Sequence, residues 1–276
     1  MPGSPEVLAG LPGAEATPAL RRELQRIALL GVSFLVVFAA LLSMLEGQLV
    51  VLYWLLVALA CWGFVLWQCY KRLHLNVSTP ERKDTPRRYV TLGHGNRITL
   101  LRGLLISALA GFLVISPGDT SHGLMYLPAV LYTAAALGDL LDGSMARRQQ
   151  QTTRLGTELD TALDAFGLLI APLLAVAYGK LHVSYLLVSI AYYLFQWGIY
   201  WRRRQGLPVY PLPPSRMRRY LAGLQMALVA AALWPPLPRE VTTLLGAVLM
   251  LPLLIGFCRD WWHVSGRSGA RAESCS

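Results

Sequence analysis

A chain of 276 residues that is 55% hydrophobic and only 14% charged is too apolar for an ordinary soluble domain and reads as a polytopic membrane protein. Its formal charge of +10 is scattered along membrane-flanking segments, which argues against a nucleic-acid-binding module and suits anionic lipid headgroups. Four cysteines, Cys61, Cys69, Cys258 and Cys275, show no C-x-x-C spacing, so neither a zinc site nor a disulfide framework is expected.

In chain order, residues 1–26 begin with a Gly-, Pro- and Ala-rich stretch and are expected to be a disordered cytoplasmic N-terminus. They do not form a signal peptide, because the apolar run that follows is too long and lacks a cleavage site. Eight apolar runs, at about 27–45, 49–68, 98–116, 124–142, 158–177, 183–200, 219–234 and 241–257, approach the length needed to cross a hydrocarbon core of roughly 30 Å. The first two have no charged residue in their interiors and meet at a short turn around Glu46-Gly47-Gln48; they predict an N-terminal transmembrane hairpin over 27–69. A basic cytoplasmic linker over 70–97 follows, with Pro80, Pro86 and Gly93-His94-Gly95 marking the best domain boundary. It contains Asn76-Val77-Ser78, which matches a glycosylation sequon but falls on the cytoplasmic side and reads as a chance match. Six further spans predict a core over 98–258, and 259–276 form a cytoplasmic tail. The expected fold is all-α, a polytopic bundle of a six-helix catalytic core plus a two-helix hairpin.

Basic residues orient this bundle, since Lys and Arg near spans accumulate on the cytoplasmic side. With the N-terminus inside, the cytoplasmic segments hold 22 of the 25 basic residues; the outside connections hold Lys180 and Arg239, and Arg102 lies just inside the third span. Both termini and most of the polar residues able to do chemistry therefore face the cytoplasm.

One stretch stands out: Asp139-x-x-Asp142-Gly143-x-x-Ala146-Arg147, eight residues, then Gly156-x-x-x-Asp160-x-x-x-Asp164. Carboxylates placed centrally in hydrocarbon cost roughly 2.5–3.5 kcal/mol each on insertion scales, so four of them need a compensating partner. At 3.6 residues per turn, each half of the stretch forms one helical stripe, and a turn through residues 149–153 would fold the two together at one membrane depth. An all-carboxylate site without His or Cys favours Mg²⁺ or Mn²⁺ over Zn²⁺. Two such ions would grip a diphosphate and stabilise both the attacking and the leaving oxygen. Gly143 and Ala146 expose backbone on the acidic stripe, and Arg147 suits a phosphate or carboxylate.

The stretch resembles, position for position, the signature D-x2-D-G-x2-A-R-x8-G-x3-D-x3-D of the CDP-alcohol phosphotransferase family. Asn96-Arg97-Ile98-Thr99-Leu100-Leu101-Arg102 is similar to the family's N-x-x-T-x-x-R entry to its first core helix. The likeness spans roughly 90–260 and leaves the N-terminal hairpin outside.

What this resemblance implies is an integral membrane enzyme that moves a phosphatidyl group from a CDP-linked donor, commonly CDP-diacylglycerol, to an alcohol with release of CMP. Asp139, Asp142 and Asp160 would be metal ligands; Asp164 would both ligate metal and act as the catalytic base. Gly143, Ala146 and Arg147 would line the CDP site, Thr153 in its lead into Gly156 would meet the donor phosphates, and Asn96 and Thr99 would belong to the nucleotide pocket. A homodimer is also implied.

Arg202–Arg204, Arg216, Arg218 and Arg219 suit a phosphorylated acceptor, although the positive-inside rule alone also accounts for them, and the acceptor stays open. Two other functions compete. An Asp-rich membrane prenyltransferase would carry two separate acidic motifs rather than one stretch, and a cation transporter would place its acids at mid-span rather than at the cytoplasmic rim.

Overall fold

The computed structural model describes residues 8–9, 17–78, 87–117, 123–149, 153–213 and 215–266, with only the backbone described at 8–9, 87–88 and 140–149. Among these residues the fold is all-α apart from a two-residue antiparallel pairing of Leu8–Ala9 (β1) with Arg87–Arg88 (β2). Eight α-helices follow the eight predicted apolar runs: α1 Pro18–Leu42, α2 Gln48–Tyr70, α3 Gly93–Gly111, α4 Leu127–Gln149, α5 Arg154–Ala177, α6 Leu186–Arg204, α7 Arg216–Leu233 and α8 Arg239–Val264. By length and composition six of them can cross a membrane. Of the other two, α4 with the turn before it is apolar over Leu124–Asp139 among the residues whose side chains are described, and α7 carries Arg216, Arg218 and Arg219 in its first turn.

The chain divides into two compact units, Met1–Ala171 and Pro172–Ser276. The division falls inside α5, at Pro172, whose ring removes one intrahelical donor.

In the first unit α1 starts well before its apolar run, because Thr17 caps it, accepting from the Leu20 N–H at 3.4 Å, and Pro18 is pre-set for a first-turn position. On α2, Val51, Trp54, Ala58, Trp62, Val65 and Cys69 are buried at steps of three and four, one continuous stripe along the helix. Leu49, Leu52, Tyr53 and Leu56 are exposed, as befits a lipid-facing side.

Lipid supplies little hydrophobic drive between helices, so close approach at small residues must do the packing. Three glycines provide it: a Cβ on Gly31 would lie 2.5 Å from Trp62, one on Gly103 2.7 Å from Val65, and one on Gly111 2.6 Å from Trp54. Trp62 also donates its indole N–H to the Ala28 carbonyl at 3.3 Å. Thus α2 packs against both α1 and α3, and Phe64 meets Phe166 of α5 with ring centroids 5.4 Å apart. The hairpin is part of the same compact unit as α3, α4 and the first half of α5. Helix α3 is the centre of that unit, buried along most of its length.

The linker is tied down where it is described. Asn76, 3% exposed, donates its amide to the carbonyls of Tyr89 (3.0 Å) and Thr91 (2.9 Å). The Arg154 N–H donates to the Val77 carbonyl at 3.1 Å, and Ser78 bridges to Thr153. The sequon asparagine is thus a buried structural residue. Two ion pairs add to the clasp, Arg72 with Glu158 at 3.2 Å and Arg97 with Glu23 at 2.7 Å. Glu23 also accepts from the Leu92 N–H at 3.0 Å, just before α3 begins at Gly93 with φ +73°.

In the second unit, Lys180 donates to the carbonyls of Pro235 and Leu237, both at 2.9 Å, and joins two connections. Tyr185 donates to Gln225, whose amide reaches the Leu249 carbonyl at 2.7 Å. Arg218 pairs with Asp260 at 3.1 Å, and Arg202 donates to the carbonyls of Pro208 and Ser265. A Cβ on Gly198 would lie 2.6 Å from Trp261, so α6 lies close against α8.

Candidate active site

Asp139 lies midway along α4, where its polar half begins, and Asp160 and Asp164 lie one turn apart on α5. The three carboxylates converge: one oxygen from each lies within 4.8 Å of the other two. Their side chains are 28%, 39% and 48% exposed, so the acids open outward. Asp142, Gly143, Ala146 and Arg147 continue the helical backbone of α4, but their side chains fall outside the described residues.

Beneath the acids lies Arg102 of α3, whose side chain is 3% exposed. Its Nη1 donates to Asp160 Oδ1 at 2.6 Å, and its Nη2 lies 2.7 Å from Asp164 Oδ1 and 2.8 Å from Asp139 Oδ1. A guanidinium presents several donors in one plane and stays charged at any ordinary pH, which lets one side chain reach three carboxylates from two helices. Gly138 makes room for it, since a Cβ there would lie 2.9 Å from Arg102 Cγ. The acidic motif by itself assigns Arg102 no role. Its signals were the N-x-x-T-x-x-R pattern and the cost of an arginine inside an apolar run.

Asn96, Thr153 and Gly156 also meet. The Asn96 amide donates to the Leu92 carbonyl at 2.6 Å and to Thr153 Oγ1 at 3.3 Å, while Thr153 Oγ1 accepts from the Gly156 N–H at 3.0 Å. Thr153 therefore caps α5, satisfying one of its first unpaired N–H groups. A Cβ on Gly156 would lie 2.6 Å from Asn96 Oδ1, so the glycine is needed for the start of α3 to lie against the start of α5. Thr99 is buried and donates to the Gly95 carbonyl at 3.0 Å. The contacts of Asn96 with Thr153 and Gly156 join α3, which carries Arg102, to α5, which carries Asp160 and Asp164.

A helical membrane protein with an oxygen-only acidic cluster on two adjoining helices is the class that fold and site define. A comparison with protein families makes it specific: residues 93–257, more than half of the chain, match the CDP-alcohol phosphatidyltransferase family, and the chain belongs to it. No individual curated protein and no solved structure matches the chain. Membership makes the protein a transferase that moves a phosphatidyl group from a CDP-alcohol at a membrane. The matched segment begins at the first residue of α3, so the hairpin of α1 and α2 precedes it.

Proposed function

We propose that this protein transfers a phosphatidyl group from CDP-diacylglycerol to a small alcohol and releases CMP, in phospholipid biosynthesis. The observation that carries the reading is the convergence of Asp139, Asp160 and Asp164 within 4.8 Å. That donor set, three carboxylates with no nitrogen or sulfur, fits Mg²⁺ or Mn²⁺. Asp139, Asp142, Asp160 and Asp164 would hold the metal, which when bound neutralises diphosphate charge and favours departure of CMP; two ions suit the four acids.

Asp164 is the base. Its carboxylate is the most exposed of the three, so an acceptor hydroxyl arriving from the open side can reach it. As the hydroxyl oxygen bonds to the phosphatidyl phosphorus, the bond to the bridging oxygen breaks, CMP leaves with that electron pair, and the hydroxyl proton passes to Asp164. Little covalent work is asked of the protein in such a transfer; positioning and charge stabilisation dominate. Gly143, Ala146, Arg147, Thr153, Gly156, Asn96 and Thr99 line or shape the donor site. The acids face the cytoplasm and the enzyme acts as a homodimer; the distribution of basic residues supports the orientation.

Purified protein given labelled CDP-diacylglycerol and a panel of alcohols is expected to release CMP with at least one of them. Chelation should stop this and added Mg²⁺ or Mn²⁺ restore it. Asp164→Asn should abolish turnover while retaining CDP binding. No metal-dependent CMP release with any acceptor would remove the reading, and wild-type turnover by Asp164→Asn would remove the base.

A further inference from the structure

The acidic cluster holds a cation of the protein's own. Asp139, Asp160 and Asp164 bring three carboxylates within 4.8 Å of one another, and the Arg102 guanidinium reaches one oxygen of each at 2.6–2.8 Å. Its side chain is 3% exposed while the carboxylates are 28–48% exposed, so water screens these contacts only from the open side of the acids. Arginine cannot release its proton in a protein, so this positive charge is permanent. Gly138, immediately before Asp139, leaves the space through which the stem of Arg102 passes. The position of the guanidinium is therefore built into α3 and α4.

We propose that Arg102 is a resident counter-ion that holds the metal site together when it is empty and weakens its affinity for a divalent cation. The inference rests on the metal reading given above. With Arg102 in place the site is one unit more positive than the carboxylates alone, and an arriving cation meets a fixed positive charge bonded to its own ligands. Repulsion between them lowers affinity for metal alone. A donor diphosphate that enters with the metal adds negative charge next to both cations and offsets that repulsion. Arg102 thereby couples metal loading to donor binding. It is a positioning residue, acting through the carboxylates.

The experiment measures Mn²⁺ binding to the full-length protein in detergent without substrate, following loss of the free-ion paramagnetic resonance signal. It is then repeated with CDP. Arg102→Gln, which removes the charge, is expected to bind Mn²⁺ about tenfold or more tightly than wild type, and CDP should sharpen binding in the wild type more than in the variant. Arg102→Lys keeps the charge and should remain within about threefold of wild type, and it still tests the idea should the glutamine variant fail to fold. Unchanged or weaker binding by Arg102→Gln overturns the proposal while leaving the metal site intact, as does a lysine variant that binds tenfold more tightly. Absence of Mn²⁺ binding in the wild type and both variants overturns it together with the metal reading.

Discussion

Replacing Gly156 by Ala tests whether the glycine that heads the second acidic stripe serves packing or ligand approach. The added Cβ would sit 2.6 Å from Asn96 Oδ1 and 3.2 Å from Thr153 Oγ1, where ordinary contact begins at 3.4 Å. Asn96 is 5% exposed and held by the Leu92 carbonyl and the Thr153 hydroxyl, so it cannot turn aside without losing those bonds. Overpacking costs about 1–3 kcal/mol, and each neutral hydrogen bond given up about 0.5–1.5 kcal/mol. A destabilisation of about 2–3 kcal/mol is expected, read from reversible unfolding in mixed micelles. Truncating the partner should remove the clash. In the Asn96→Ala background the alanine at 156 is expected to cost less than about 0.5 kcal/mol more, giving a coupling energy of at least about 1.5 kcal/mol in a double-mutant cycle. A Gly156→Ala protein as stable as wild type but weakened in CDP binding would refute the packing argument and make the glycine a point of ligand approach. Additive costs in the cycle would refute it too.

Two further substitutions probe the ties on either side of the site. Asn76→Ala leaves the carbonyls of Tyr89 and Thr91 without their side-chain donor; a loss of about 1–3 kcal/mol is expected, together with faster proteolysis of the linker, and unchanged cleavage would deny the clasp. Lys180→Met removes two charge-assisted bonds of 2.9 Å to the Pro235 and Leu237 carbonyls. Such bonds contribute about 1.5–3 kcal/mol each before screening at this half-exposed site. The expected result is a lower melting temperature with the Michaelis constant for CDP-diacylglycerol unchanged, and an equal melting temperature would argue against the tie.

Much of the fold was legible because helix-forming apolar runs announce themselves locally. All eight became helices. Among the described residues six of them have the length and composition of a membrane span. The site was legible for a similar reason: Asp160 and Asp164 share a face of α5 through simple periodicity, and Asp139 of α4 meets them; the turn expected through 149–153 lies mostly outside the described residues. Less legible were Asn96 and Thr153. The resemblance implies that both meet the donor, and only the structure adds that their described bonds go to each other, to the Leu92 carbonyl and to the Gly156 N–H.

By itself, then, the sequence determined a helical membrane protein, the two acidic stripes and the family to which they belong, since each follows from spacing within one or two helices. Only the tertiary structure decided what lies beneath the acids and what holds their helices together. Arg102 is 58 residues from Asp160 and 62 from Asp164, and the linker reaches Thr153 across a similar stretch of chain. Contacts at that separation depend on how closely helices approach. That closeness is set by Gly103, Gly111, Gly138 and Gly156 against specific side chains, a relation that no periodicity within a single helix contains.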